Sequence, residues 1–102
     1  MDINFVIDEL TAELKIALGD KFRELILYGS YARGDFDEWS DVDLMILVDI
    51  RRDELVLCES KIIDISTNIG IKYNKLLSVV MQNDQFFEHW TKFLPFYENV
   101  RR

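Results

Sequence analysis

The stretch from Leu25 to Asp49 constrains the fold most, because two apolar runs flank a polar connection within it. The first run, 25–28, is LILY and is followed at once by Gly29 and Ser30, and the second run, 41–49, is DVDLMILVD. Short apolar runs bounded by turn residues are typical of strands buried in a sheet. The stretch therefore predicts a strand, a tight turn, a loop and a second strand.

Two carboxylates at the start of the second run, Asp41 and Asp43, form the first half of a candidate site. Residues i and i+2 of a strand point to one face, so we expect these side chains to project together, with Met45 and Leu47 continuing that face. Adjacent carboxylates raise each other's pKa unless a cation lies between them. Such oxygen ligands suit Mg²⁺, which completes its coordination with water and substrate phosphate. We therefore expect Asp41 and Asp43 to be metal ligands and catalytic residues.

The turn at Gly29 and Ser30 forms the second half of the site. A small residue at the end of a strand lets a ligand approach the backbone, and a helical turn over 30–33 would aim free N–H groups at an anion. Arg33 either reaches a triphosphate or pairs with nearby acids, and the sequence leaves both interpretations open. A metal site that faces an anion-binding turn is what nucleotidyl transfer needs.

These residues resemble the signature of the minimal nucleotidyltransferases, small members of the DNA polymerase beta-like superfamily. The matching positions are Gly29-Ser30, then ten residues, then Asp41-x-Asp43, with Ala32-Arg33-Gly34 and Ser40 also in place. The resemblance implies an enzyme that uses Mg²⁺ and ATP and moves AMP to a hydroxyl with loss of pyrophosphate. It also implies the antitoxin of a two-protein module, with a helical HEPN-type toxin as partner and a tyrosine of that toxin as acceptor.

One position departs from that family pattern. Complete relatives place a third carboxylate on the next strand, whereas here 75–81 is KLLSVVM, with Ser78 where an acid is expected. An alternative therefore stays open, in which a weak or inactive nucleotide-binding module neutralises its partner by binding alone. Small-molecule modification, as in the aminoglycoside nucleotidyltransferases, is a third possibility, but we expect no room for their additional helical domain in 102 residues.

The rest of the chain predicts helices that cover the sheet. Apolar residues recur at helical spacing over 2–18 and 51–73, and Gly70 suggests that the second helix ends near Asn68. A third strand over 75–81 and a short helix over 83–90 follow, and the tail 91–102 is either a last helix or a partner surface. A crossover helix between two strands favours their being parallel. We expect one domain over 1–102, an α+β fold (an α/β sandwich) with a small mixed β-sheet.

The charge and composition narrow the ligand class. The net charge is −7, from 19 acidic and 12 basic residues, so we expect a metal-neutralised nucleotide or a basic protein as ligand, and not long nucleic acid. We also expect a cytoplasmic protein, since 1–20 lacks a secretory signal and no apolar run is long enough to cross a membrane. For Phe36 and Trp39 in the acidic loop, we favour anchoring of the loop over contact with a base.

Overall fold

The computed structural model of this protein describes residues 3–91, and the side chains of residues 3–89. The elements in chain order are α1 (Ile3–Leu18), β1 (Phe22–Tyr28), α2 (Gly29–Arg33), β2 (Val42–Val48), α3 (Val56–Tyr73), β3 (Leu77–Asn83) and α4 (Asp84–Thr91). Single turns of 3₁₀ helix cover Gly19–Lys21 and Arg52–Glu54. The interpretations made for the tail lie outside the described residues from 92 onward.

The three strands form one mixed sheet in the order β1-β2-β3. β1 is antiparallel to β2, and β3 is parallel to β2 across the crossover helix α3, as predicted. Six of the seven residues of the central strand β2 are buried, because both of its edges are paired. The α+β fold with a small mixed sheet covered by helices is therefore confirmed.

Side chains of β2 alternate between two apolar layers. Those on one face pack against α1 and α3 in the main core, and they are Val42, Leu44, Ile46 and Val48. Met45 and Leu47 on the other face pack with Ile26 and with Phe87 of α4. Asp43 shares this second face because strand side chains alternate, as predicted. The smaller apolar layer therefore begins beside a carboxylate.

Helix α3 extends beyond its predicted end near Asn68. It continues to Tyr73 and passes through Gly70, which is buried. A Cβ at Gly70 would lie 2.5 Å from the carbonyl oxygen of Lys75. The glycine therefore allows the backbone at Lys75 to pack directly against the helix. The helix ends instead at Asn74, whose left-handed φ of 56° is one that asparagine tolerates. The prediction of an early end was wrong because this glycine serves packing and not termination.

The strand boundaries also differ from those predicted. β1 begins at Phe22 and not at Leu25, with an irregularity in its pairing between Phe22 and Glu24. β3 begins at Leu77, because Lys75 and Leu76 belong to the connection from α3. Among residues 3–91, no helix combines the length and apolar character that crossing a bilayer requires.

Candidate active site

The antiparallel register brings the two predicted half-sites together. Tyr28, the last residue of β1, pairs with Asp43 of β2, so the turn that follows β1 lies against the start of β2. Gly29 has φ of 72°, and a Cβ at this position would overlap Oδ2 of Asp43 and lie 3.1 Å from its Cγ. Glycine is therefore required for two reasons, the left-handed backbone and the close approach of the Asp43 carboxylate.

The short helix α2 confirms the predicted helical turn. It spans Gly29–Arg33 and ends at Gly34, whose N–H donates a hydrogen bond of 2.9 Å to the carbonyl oxygen of Ser30. Tyr31 is buried in the main core and fixes the helix to the sheet. Ser30 is half-buried at the first turn, next to Gly29. The turn is thus hydrogen-bonded and packed on the core, and it presents backbone beside Asp43.

The two carboxylates differ in their environment. Asp41 is exposed just before β2, whereas Asp43 is half-buried within it. Burial raises the pKa of Asp43, the charge of Asp41 raises it further, and the charge of Arg33 partly offsets both. A carboxylate in this position is stabilised in its ionised form by a bound cation. The oxygen donors of Asp41 and Asp43 therefore fit Mg²⁺, which takes water and phosphate as its further ligands.

The parallel register identifies the neighbour of Asp43 on the next strand. Asp43 pairs with Ser78, so the serine occupies the strand position beside the carboxylate pair. Asp84 begins α4 beyond the opposite end of β3, and Asp64 is exposed on α3. Among the residues that the structure describes, no cluster of three or more His, Cys, Asp or Glu side chains could hold a metal ion. The acidic side chains that the structure brings together here are thus Asp41 and Asp43.

Arg33 forms an ion pair with Asp35 at 3.2 Å, with both side chains largely exposed. Of the two interpretations that the sequence left open, the structure contains this local pair. An exposed pair of this kind contributes little to stability, and it can be exchanged for a stronger anion at small cost. Because the charge of Arg33 lowers the pKa of Asp43, the guanidinium lies within electrostatic reach of the carboxylate site.

The acidic loop between α2 and β2 is anchored by one aromatic residue and not the other. Phe36 stacks on Tyr31 with ring centroids 4.2 Å apart, as the anchoring interpretation predicts. Trp39 is 84% exposed, so the same interpretation was wrong for it. Asp37 shapes the loop because its Oδ1 accepts the N–H of Trp39 at 2.9 Å. This bond is to the backbone N–H of Trp39, and the indole itself is exposed on the loop.

Lys75 is a residue of this region that sequence reasoning missed. Its Nζ donates a hydrogen bond of 2.8 Å to the hydroxyl of Tyr31. It also lines a cleft of about 270 Å³ together with Trp39, Asp41 and Leu76. The sequence predicts Lys75 as the first residue of the third strand, and only the observed register shows that the connection before β3 lies beside the connection before β2.

The fold and this pairing of turn and carboxylates define a nucleotidyltransferase, and comparison with known proteins agrees. The family model of the nucleotidyltransferase domain matches residues 11–91. A protein of Methanocaldococcus jannaschii, MJ0141, is 41% identical over 81 residues, which cover 79% of this chain and 80% of that protein. A second, MJ0604 from the same organism, is 31% identical over 97 residues, which cover 92% of this chain and 86% of that protein. Both are named as inferred protein adenylyltransferases.

The chain therefore belongs to the nucleotidyltransferase family and is a transferase. This confirms the resemblance drawn from Gly29, Ser30, Asp41 and Asp43.

Proposed function

We propose that this nucleotidyltransferase transfers AMP from ATP to a hydroxyl group of a protein partner. The observation that carries the proposal is the contact between the turn and the carboxylate site, in which Gly29 leaves no space for a side chain beside Asp43. A phosphate held at the turn would lie next to a metal held by the carboxylates, as phosphoryl-group chemistry requires. The names of the two relatives support a nucleotide that is AMP and an acceptor that is a protein.

Each site residue has a role in this proposal. Asp41 and Asp43 hold Mg²⁺, and the backbone at Gly29 with the Ser30 hydroxyl binds the triphosphate. Arg33 leaves Asp35 to bind the phosphates, since its exposed ion pair is weak. Bound Mg²⁺ would neutralise the charge of the triphosphate. These five residues therefore orient the α-phosphorus toward the acceptor.

The reaction forms one bond and breaks one bond. The acceptor oxygen attacks the α-phosphorus, and the bond from that phosphorus to the oxygen bridging the β-phosphate breaks. Pyrophosphate leaves with the electron pair, and the hydroxyl proton passes to solvent. Ser78 lies where a general base would be expected and cannot act as a carboxylate. A base contributes about 10²–10⁴-fold in rate, so we expect a slow enzyme in which positioning supplies most of the catalysis.

We further propose that the partner is a helical HEPN-type toxin and that the acceptor is a tyrosine of that toxin, which makes this chain its antitoxin, acting in the cytoplasm. The net charge of −7 suits association with a basic protein surface. Transfer of AMP adds a negative phosphate to the tyrosine and so changes the charge of the toxin where it is modified.

The test is a labelling experiment with α-labelled ATP and Mg²⁺, with and without the protein encoded by the neighbouring gene. The variants Asp41→Asn and Asp43→Asn should remove label from the partner. Asp64→Asn is the matched control, because this exposed carboxylate lies on α3, outside the site. Absence of label in the unaltered protein, with partner binding unaffected by Asp43→Asn, would instead support neutralisation by binding alone.

A further inference from the structure

An open groove leads away from the carboxylate site. The cleft of about 270 Å³ beside Asp41 adjoins a second one of about 350 Å³, and Asn74, Lys75 and Leu76 line both. The second cleft continues to Ile71 near the end of α3. We call this continuous surface, from Trp39 and Asp41 through residues 74–76 to Ile71, the α3–β3 groove.

Backbone hydrogen bonds define the floor of the α3–β3 groove. The N–H of Lys75 donates a hydrogen bond of 2.8 Å to the carbonyl oxygen of Gly70, which fixes the reversal of the chain after α3. The N–H of Val42 donates to the carbonyl oxygen of Leu76 at 2.9 Å. This second bond ties the groove floor to the residue that follows Asp41. The groove and the carboxylate site therefore form one connected structure.

The walls of the groove carry apolar side chains that the described part of the chain leaves exposed. Trp39, Ile71 and Leu76 are 84%, 74% and 66% exposed, respectively. Exposed aromatic and aliphatic residues around a concave surface are typical of sites that bind protein segments. Hydrogen bonds fix the backbone at Trp39 and at Leu76, and both side chains are exposed.

The charge of the rim specifies what the groove accepts. The loop 35–41 contains four carboxylates and no Lys or Arg, and Glu38 and Asp41 line the groove itself. The cation of the groove, Lys75, already donates to the Tyr31 hydroxyl. Such a rim attracts a basic ligand and disfavours an anionic one. The two clefts adjoin along residues 74–76 and together form an elongated surface, which fits an extended polypeptide.

From this geometry we propose that the α3–β3 groove binds the acceptor segment of the protein substrate, a stretch with apolar and basic side chains next to the hydroxyl that is modified. The proposal rests on the function proposed above. Trp39 and Leu76 contact the apolar side chains of the acceptor segment, and the acidic loop binds its basic side chains. The groove thereby places the acceptor hydroxyl beside Asp41. Trp39 and Leu76 are therefore specificity residues for the acceptor and not for the nucleotide.

A peptide titration tests this proposal. The probe is a short synthetic peptide with one tyrosine flanked by leucines and lysines, and its binding to the full ¹⁵N-labelled chain is followed by amide chemical shifts. We expect shifts at Trp39, Lys75 and Leu76. Peptides with serine in place of leucine, or with glutamate in place of lysine, should bind at least about tenfold more weakly.

Variants separate the acceptor from the nucleotide. Trp39→Ala and Leu76→Ser should each weaken peptide binding about tenfold, while the Kd for ATP with Mg²⁺ stays within about twofold. Leu57→Ser is the matched control, since Leu57 is 80% exposed and lies about 21 Å along α3 from Ile71. Peptide shifts elsewhere on the surface, or no peptide binding, would overturn the proposal. Equal loss of ATP affinity in Trp39→Ala would also overturn it, because the groove would then hold the base.

Transfer to the same peptide distinguishes this inference from the reaction on which it rests. Asp43→Asn should abolish AMP transfer and leave peptide binding intact. Peptide binding in the groove without transfer by the unaltered protein would support a polypeptide site and contradict the proposed reaction. Transfer that is unaffected by Trp39→Ala and Leu76→Ser would confirm the reaction and overturn the role of the groove.

Discussion

Two carboxylates, Glu9 on α1 and Asp43 on β2, have pKa values displaced in opposite directions. Glu9 accepts a hydrogen bond from Nζ of Lys72 at 2.8 Å and another from the hydroxyl of Tyr73 at 2.7 Å. These bonds lower its pKa and join α1 to the end of α3. Burial and the neighbouring Asp41 raise the pKa of Asp43 instead.

The comparison separates a structural acid from a candidate functional one. The charge of Glu9 is compensated by residues of this chain, so that ionisation stabilises the fold. The charge of Asp43 is compensated only in part, by Arg33, and it lies against a turn that has no side chain in the way. Clustered perturbed carboxylates are typical of functional sites. Asp43 thus has the environment of a ligand for an external cation.

The largest expected effect comes from adding a side chain between the turn and Asp43. Gly29→Ala should abolish nucleotidyl transfer, because its Cβ would displace the Asp43 carboxylate. Gly34→Ala is the matched control, since φ of Gly34 is 84° but nothing lies within 4 Å of its added Cβ. Both variants should lose about 1–2 kcal/mol of unfolding free energy from the left-handed backbone. Transfer that survives in Gly29→Ala would contradict the assigned contact.

A new acid on β3 should increase activity. Ser78 pairs with Asp43 in the parallel register, so Ser78→Asp would add a third carboxylate beside the pair. We expect at least a roughly tenfold rise in the transfer rate, below the full contribution of an evolved general base. Ser78→Asn introduces a side chain of the same size as aspartate but without charge, and it should leave the transfer rate unchanged. An equal effect of both variants would show that charge at this position is not what limits the reaction.

Mg²⁺ should stabilise the unaltered protein through the same site. At a free concentration ten times its Kd, a ligand that binds only the folded state adds about 1.4 kcal/mol to the unfolding free energy. We expect this rise in thermal unfolding measurements, and its loss in Asp43→Asn. Glu9→Gln should keep the full rise, because Glu9 is already held by Lys72 and Tyr73. Equal stabilisation of Asp43→Asn would place the metal elsewhere.

Much of this arrangement could be predicted from local pattern. The apolar runs gave the strands, the crossover helix gave the parallel pair, and the i, i+2 spacing placed Asp43 with Met45 and Leu47 on one face. The carboxylate pair and the small-residue turn predict one site that includes Gly29 and Asp43, and the family resemblance implies the same. Their direct contact follows from the antiparallel register of β1 and β2, which the sequence did not specify.

Other features depend on contacts between residues far apart in the sequence, and local sequence patterns do not predict them. Gly70 predicts an early end of the second helix because glycine weakens helices, but its lack of a Cβ accommodates the carbonyl of Lys75. The sequence favours an anchoring role for Trp39 because aromatic residues are usually buried, but the residue is 84% exposed. Lys75 beside Tyr31 joins residues 44 positions apart, and no local pattern indicates such a pair.

The smallest expected effect concerns the pH dependence of stability, which should have opposite signs for the two carboxylates. The pKa of Glu9 is lowered in the folded protein. Its contribution to the free energy of unfolding is therefore present above the ordinary pKa of a glutamate and is lost as pH falls through the pKa of the folded state. The pKa of Asp43 is raised, so without metal its ionisation costs stability as pH rises through the folded value.

Denaturant unfolding from about pH 3 to about pH 7 without divalent metal measures both effects. Glu9→Gln should be less stable than the unaltered protein near neutral pH, with the difference shrinking in acid. Asp43→Asn should equal the unaltered protein in acid and be slightly more stable near neutral pH, by less than about 1 kcal/mol because Asp43 is partly solvated. If both variants shifted stability in the same direction, the distinction between the compensated and the uncompensated carboxylate would be lost.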